Sequence, residues 1–524
     1  MKIFDGKQSA YAATSRRPVR LPIQKFQRVL AGGRALRVVR GLCLASLCSV
    51  VGCAVGPDFV PPSKPSVGQY THGKEPSATL NADGQAQHFE PGAEVVGDWW
   101  RLFNSDKLDS VVKEAVTQNQ NIQSAQASLR QSRAQLQAGY GVFYPQIDAG
   151  FSASRQRSSP ARVSGNVESS VFNLFTLSAV VSYTLDVFGG ERRNIENLQA
   201  LVEYQRYTLL ATYLTLTGNI VNATIAQAAY AAEIEATQQL VDSLKEEIKI
   251  TEAQAQAGTI PYSNLLSLQS QSAAIEATLP PIRQKLNQTE HLLATLAGRA
   301  PADWQPQKIS LEEIALPENL PLTLPSEVVG QRPDILEAEA LLHSSSAQIG
   351  IATAALFPSF TINAGYGLNN TSAGNLFGSN SSFWSIGGGV VAPLFHGGTL
   401  LSQRQAAIEG YQQSLSNYRQ TVLGGLEQVA DTLRALEHDA ETLQAESNAL
   451  TTAEEALSLI RTNYRAGTVS YLQVLIATTQ FHQAQIGYLQ AKAQRLQDTV
   501  ALYVALGGGW WNGGNLVPAN AAAG

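Results

Sequence analysis

The chain has 524 residues, of which 44% are hydrophobic, 15% charged and 7% aromatic, with a formal net charge of −5. That charge is uneven: residues 1–52 hold ten of the 37 basic residues and one of the 42 acidic ones, so the remainder stands at −14. An acidic body argues against nucleic acid as a partner, and its wealth of Ala, Gln, Ser, Thr and Leu suits long helices that pack closely and stay wet on one side.

Within the basic leader, Gly41 to Gly52 is an apolar run too short for a stable membrane-spanning helix but right for the core of an export signal. It ends in Val50-Val51-Gly52-Cys53, which resembles the lipobox of bacterial lipoproteins, where the thiol carries diacylglycerol; Ala54 after it favours, by the same resemblance, sorting to the outer membrane. Cys43 and Cys48 fall in the leader, so Cys53 would be the single cysteine of the mature chain and no disulfide could form within it. From Pro57 to about Gly97 the sequence is rich in Pro, Gly and polar residues without a sustained period, and reads as an extended tether.

Trp99 and Trp100 open the folded part. Asp106 to Gly139 is helical in pattern, with Leu108, Val111, Val112, Ala115, Val116 and Ile122 at steps of three and four. Period two follows: Ile147, Ala149, Phe151 and Ala153 alternate with small or polar residues in Gln146 to Arg155, as do Phe175, Leu177, Ala179, Val181, Tyr183 and Leu185. Next comes a helical stretch from about Glu191 to Ala257 without proline, ending at Gly258, where a left-handed residue stops a helix and a second helix returns. Pro301 to Pro325 reads as a connector. The second half repeats the order, with strands through Phe360, Ile362, Ala364, Tyr366 and Leu368, and through Trp384, Ile386, Val390, Ala392 and Leu394. A helix from about Leu400 to Ala466 then ends at Gly467. Some 66 helical residues reach on the order of 100 Å, several times a bilayer.

The chain also repeats itself in detail. Ala257-Gly-Thr-Ile-Pro-Tyr-Ser-Asn-Leu-Leu266 returns as Ala466-Gly-Thr-Val-Ser-Tyr-Leu-Gln-Val-Leu475, the two glycines 209 residues apart. Phe143-Tyr-Pro-Gln-Ile-Asp-Ala-Gly150 returns as Leu356-Phe-Pro-Ser-Phe-Thr-Ile-Asn-Ala-Gly365. A period this long is two copies of a multi-element unit rather than a solenoid. Four strands of roughly ten residues suit a membrane barrel, but four cannot close one, and an open edge cannot face lipid. The strands must be shared, and three chains would supply twelve. The expected organisation is a signal with basic leader (1–52), a lipidated tether (53–97), a first repeat (98–300), the connector (301–325), a second repeat (326–507) and a C-terminal tail (508–524).

Cys53-Ala-Val-Gly-Pro-Asp-Phe59, Asp98-Trp-Trp100, Gln331-Arg-Pro-Asp334, Pro393-Leu-Phe-His-Gly-Gly398 and Ala505-Leu-Gly-Gly-Gly-Trp510 together resemble the NodT-type lipoprotein branch of the TolC-like outer-membrane efflux family. The resemblance implies mixed all-α plus membrane β architecture: a homotrimer with a 12-stranded barrel continued by a 12-helix periplasmic tunnel. It implies a periplasmic adaptor (membrane fusion protein) and a resistance-nodulation-division-type inner-membrane transporter as partners, and a passive duct for drugs or other small toxic compounds. It also implies a periplasmic gate around the second tip, formed by Tyr464, Leu472, Gln473 and Ile476 and aligned through Tyr464-Arg-Ala-Gly467. Where the family often carries acids, this chain has Gln473 and Ile476, so with Leu472 the gate would close by apolar packing and dewetting. The tips Gly258, Thr259, Gly467 and Thr468 would dock the adaptor, a helix cap being the plainer role for each.

Chemistry is otherwise sparse. The seven histidines lack metal-ligand spacing, Gly387-Gly-Gly389 lacks the Lys-Ser/Thr of a phosphate loop, and no nucleophile elbow is present. The sequence therefore predicts no catalytic residues, metal or cofactor. Two alternatives stay open: a duct for type I protein secretion, and a lipid-anchored coiled-coil scaffold without a pore.

Overall fold

A computed structural model describes residues 54–73, 75–157 and 170–512; the leader, Cys53 and the end of the tail lie outside the described residues. In chain order the elements are β1 (His88–Pro91), α1 (Asp106–Gln118), α2 (Gln120–Gly139), β2 (Gln146–Arg157), β3 (Val171–Leu185), α3 (Gly190–Gln256), α4 (Tyr262–Glu276), α5 (Leu279–Leu296), β4 (Asn319–Leu322), the single turn α6 (Pro325–Val328), α7 (Pro333–Ala354), β5 (Ser359–Asn370), β6 (Ser382–Val391), α8 (Thr399–Arg465) and α9 (Tyr471–Ala505). The chain divides into two compact units. One takes Met1–Pro62, Arg133–Leu201 and Leu341–Leu415, the other Ser63–Ser132, Val202–Ala340 and Ser416–Gly524.

The first unit holds an antiparallel sheet in the order β2-β3-β5-β6. Its register sets Ile147 opposite Val181, Val181 opposite Ala364 and Ala364 opposite Ile386, so these residues, with Phe151, Leu177, Tyr366 and Trp384, share one face. The other face carries Asp148, Ser152, Ser178, Asn363, Ser385 and several glycines, together with Phe172, Leu174, Val180 and Phe383. On the apolar face Ile147 is 71% exposed, Trp384 74% and Ile386 73%, a larger apolar surface than a soluble sheet leaves in water. Among the described residues β2 and β6 each keep an unpaired edge. β6 stops at Val391, so Ala392 and Leu394, expected within it, lie beyond: Pro393 has no N–H to continue a ladder.

Residues 54–62 are pinned at the foot of this sheet. The Val55 N–H donates to the Phe188 carbonyl (3.0 Å), and the buried Arg193 guanidinium donates to the Val55 carbonyl (3.2 Å), Asp58 and Glu196 (2.7 Å each). Phe59 stacks on His343 with ring centroids 4.3 Å apart.

In the second unit three of the motifs quoted above meet. Trp99 stacks on Tyr503 (5.3 Å). Arg332 donates to the Ala505 carbonyl at the end of α9 (2.6 Å), and Trp510 Nε1 donates to the Gln331 carbonyl (2.8 Å). Gly507 has φ +94°, and a Cβ there would lie 3.2 Å from the Gln331 carbonyl oxygen, so both backbone conformation and space require glycine. These motifs build a structural lock.

Three further expectations change here. The stretch read as a tether is held in place from residue 63 on: β1 pairs in parallel with β4 of the connector, and the buried Arg495 guanidinium donates to Gln87 Oε1, Thr79 Oγ1 and the Ala82 and Gln85 carbonyls. The helix expected over Asp106 to Gly139 is two, because Asn119 (ψ 129°) leaves the helical region and its Oδ1 accepts from the Asn121 and Ile122 N–H groups, capping α2. The helix returning from the first tip breaks at Ala277–Thr278, where Pro280 and Pro281 must sit in a first turn; α9, without proline, runs unbroken.

Candidate functional site

The two tips have the same construction, each entirely within the second unit. Gly258 (φ +71°) and Gly467 (φ +75°) take the left-handed conformation. The Gly258 N–H donates to the Ala255 carbonyl, and the Thr259 N–H and hydroxyl both donate to the Gln254 carbonyl (3.0 and 2.8 Å). At the second tip the Gly467 N–H donates to the Tyr464 carbonyl, and the Thr468 N–H and hydroxyl to that of Asn463 (3.0 Å each). This is the Schellman closure of a helix, strengthened by a threonine hydroxyl. The Gly-Thr pair thus satisfies carbonyls that a helix end otherwise leaves open, and all four residues remain exposed.

Immediately beyond, α9 divides into two faces. Tyr471, Val474 and Leu475 join a core with Leu240, Val241, Leu244, Leu268, Ile275 and Leu279 of α3, α4 and α5. Leu472 (63% exposed), Gln473 and Ile476 (49%) point away from that core. The structure therefore brings three of the four candidate gate residues onto one exposed patch one turn long. Tyr464 is not part of it: its ring lies 5.3 Å from that of Tyr471, on the core side.

Polar ties hold the patch in position. Tyr471 Oη donates to Glu247 Oε1 of α3 (3.2 Å), and Gln271 Nε2 of α4 donates to Thr479 Oγ1 of α9 (2.7 Å). Burial, and then the Glu247 carboxylate, hold the Tyr471 phenol well above its ordinary range, so it stays a donor. Sequence reasoning missed Glu247, which sits in the run Lys245 to Lys249 and reads there as a solvated charged face. It also missed Arg495, whose only signal is a cation spaced with the apolar stripe Ala491, Leu496 and Val500. Among the described residues no group of His, Cys, Asp and Glu is placed to hold a metal ion.

Known proteins share this organisation. The family profile described as outer membrane efflux protein matches residues 111–299 and 324–508. The pyoverdine export outer membrane protein OpmQ of Pseudomonas aeruginosa is 28% identical over 442 residues, 82% of this chain and 92% of that one. The probable efflux pump outer membrane protein TtgC of Pseudomonas putida is 29% identical over 472 residues (88% and 93%), and the cation efflux system protein CusC of Escherichia coli 27% over 474 (88% and 97%). The outer-membrane channel OprN superposes with a TM-score of 0.78 at 25% identity, covering 87% of this chain and all of that one. The Campylobacter jejuni CmeC outer membrane channel, at TM-score 0.79 and 20% identity over 87% and 95%, shares the fold. The matched blocks take in all four strands of the sheet and both 67-residue helices, and the chain belongs to the outer membrane efflux protein family.

Proposed function

We propose that three copies of this chain form the passive exit duct of a tripartite efflux pump for drugs or other small toxic compounds. The observation that carries the reading is a four-stranded sheet with one exposed apolar face and two open edges, in a chain that also has two 67-residue helices. Open edges cannot face hydrocarbon, so three sheets join edge to edge into a 12-stranded barrel, and the two repeats of each chain supply a 12-helix periplasmic tunnel. Cys53 carries the lipid that adds an outer-membrane anchor. A periplasmic adaptor docks at Gly258, Thr259, Gly467 and Thr468, and an inner-membrane transporter of the resistance-nodulation-division type supplies the energy. Three-fold symmetry turns Leu472 and Ile476 into apolar rings and Gln473 into a neutral one, with Tyr464 bracing the turn behind them.

The test is accumulation of a fluorescent efflux substrate in cells lacking the chain, with it restored, and with Leu472 and Ile476 both changed to Ser. Restoration lowers accumulation, and the double variant raises sensitivity to bulky antibiotics by leaking at the gate. Accumulation unchanged across a broad substrate panel overturns the drug-efflux assignment.

A further inference from the structure

The joint between strand and long helix occurs twice in the first unit, once covered and once bare. Pro145 and Pro358 each precede a strand, and pairing sets Ile147 opposite Val181 in the first hairpin and Phe360 opposite Val390 in the second. Val390 stands 209 residues after Val181, and Thr399 209 after Gly190, the same spacing as the two tip glycines. β3 and the helix it feeds therefore correspond to β6 and its helix.

Within the chain β3 outruns β2: Tyr183, Thr184 and Leu185 pair only with Ile362, Thr361 and Phe360 of β5. Beyond them Phe188 stacks on Phe357, with ring centroids 4.7 Å apart, and lies 6.4 Å from Phe360. In the second copy the corresponding Ala392, Pro393 and Leu394 have no strand beside them among the described residues. Leu394 is 94% exposed and Phe395 88%. Tyr144 and Ile147, the counterparts of Phe357 and Phe360, stand at the opposite edge of the sheet and are 69% and 71% exposed.

The phase of the hydrogen bonds agrees. The Asn369 N–H donates to the Ser381 carbonyl (2.8 Å), one place beyond Leu368 and Ser382 in the register. Alternate residues from Ser381 through Val391 to Pro393 therefore turn their backbone groups toward β5, and Ala392 and Leu394 turn theirs to the open edge. The N–H that Pro393 lacks is not one the open edge would use. We propose that Leu394 of one copy pairs with Ile147 of the next, as Leu185 pairs with Phe360 within the chain, and that Phe395 packs on Tyr144 of that copy, as Phe188 packs on Phe357. The occupant is a second copy of this chain because seat and insert are the two halves of one duplicated joint, carried on the two edges that the barrel joins. This inference rests on the barrel reading above and adds its register: Val390 falls opposite Phe151, which continues the apolar face across the seam, whereas a slip of one residue would break it.

The test uses the full-length protein in isolated outer membranes, oxidised and run on denaturing gels without reductant. Leu394→Cys with Ile147→Cys puts thiols on directly opposed residues, whose Cα separation of about 5.5 Å suits a disulfide, and is expected to give covalent trimers that reductant dissolves. Leu185→Cys with Phe360→Cys closes within one chain and runs as a monomer. Leu394→Cys with Phe151→Cys, displaced by about 13 Å along the strand, gives at least about fivefold less covalent trimer. Independently of any crosslink, Phe395→Ala and Tyr144→Ala each lower the temperature at which the native trimer dissociates, and the double variant lowers it no further than the larger single one. Crosslinking through Phe151 that equals or exceeds that through Ile147, or Phe395 and Tyr144 effects that simply add, overturns the joint and leaves the barrel standing. Wild-type protein that stays monomeric on native sizing sinks the barrel reading and this joint with it.

Discussion

At the scale of single residues, the most consequential charges are buried away from the tips. Arg495 on α9 directs its guanidinium entirely at residues 79–87, so it fastens the N-terminal segment to the helices. Arg495→Met would fill the space but leave Gln87 Oε1 and the Gln85 carbonyl without their donor, while Thr79 Oγ1 and the Ala82 carbonyl would keep only the Gln87 and Gln85 N–H groups, at a cost of about 2 kcal/mol or more. Thermal unfolding should show the loss, and limited proteolysis should show earlier cutting within residues 63–97. Asp439 on α8 lies against Asp498 on α9. Burial, then the Asp498 carboxylate, push its pKa up to about 8, against a smaller opposing pull from Arg495. Because the folded value stands above the unfolded one of about 4, the stability this carboxyl contributes is complete below pH 4 and is lost as pH rises to 8. Asp439→Asn cannot ionise and keeps a donor facing Asp498. The melting temperature of the variant relative to wild type should therefore climb between pH 4 and 8 and level off above. A difference that stays flat with pH would mean that the two carboxyls are not coupled.

At the scale of elements, the tips show what sequence can and cannot announce. A helix stop needing a left-handed residue leaves a glycine, and the threonine that doubles its closing bond leaves a second mark, so the pair stood out twice in the chain. A Cβ at Gly467 would meet nothing within 4 Å, so Gly467→Ala is a test of backbone conformation alone. It should cost about 1–2 kcal/mol, read as faster amide exchange around Asn463 to Thr468, whereas Gly467→Asn should cost less. The strands were legible for a related reason, since one apolar face forces strict alternation. The break at Asn119 was not, because its cap is made by a side chain that would fit equally well on the wet face of an unbroken helix. Nor was the pairing of β1 with β4, four residues each, too short for a period to emerge and joined across more than 200 residues of chain. In the candidate site, the spacing of Leu472, Gln473 and Ile476 already placed them on one helical face. The position of Tyr464 on the other side depended on Tyr471 and Glu247, contacts that no local pattern encodes.

At the scale of the whole molecule, an outer-membrane efflux channel must be closed when no pump is engaged and must not sort what passes when one is. A ring of carboxylates at the narrow end would do the first but would bind cations. In the trimer proposed above, this chain puts Leu472 and Ile476 there instead, on a patch held by the core behind it and by the Tyr471–Glu247 and Gln271–Thr479 bonds. Apolar rings close by excluding water, and they open with a small increase in diameter because a wet channel pays no toll to bound ions. The state of the gate should accordingly depend on helix separation and little on divalent cations. Ile476→Asp reverses this by adding three carboxylates to a constriction of low dielectric, where their field on a passing ion is weakly screened. In planar bilayers the variant should become more cation-selective and should be blocked by millimolar divalent cations added on the helix side, with wild type indifferent to both. Ile476→Asn controls for polarity without charge and should raise conductance with no change in selectivity. If Ile476→Asp leaves selectivity and divalent response unchanged, Ile476 does not line the narrowest part of the path, and the constriction must be sought on another face of the helices.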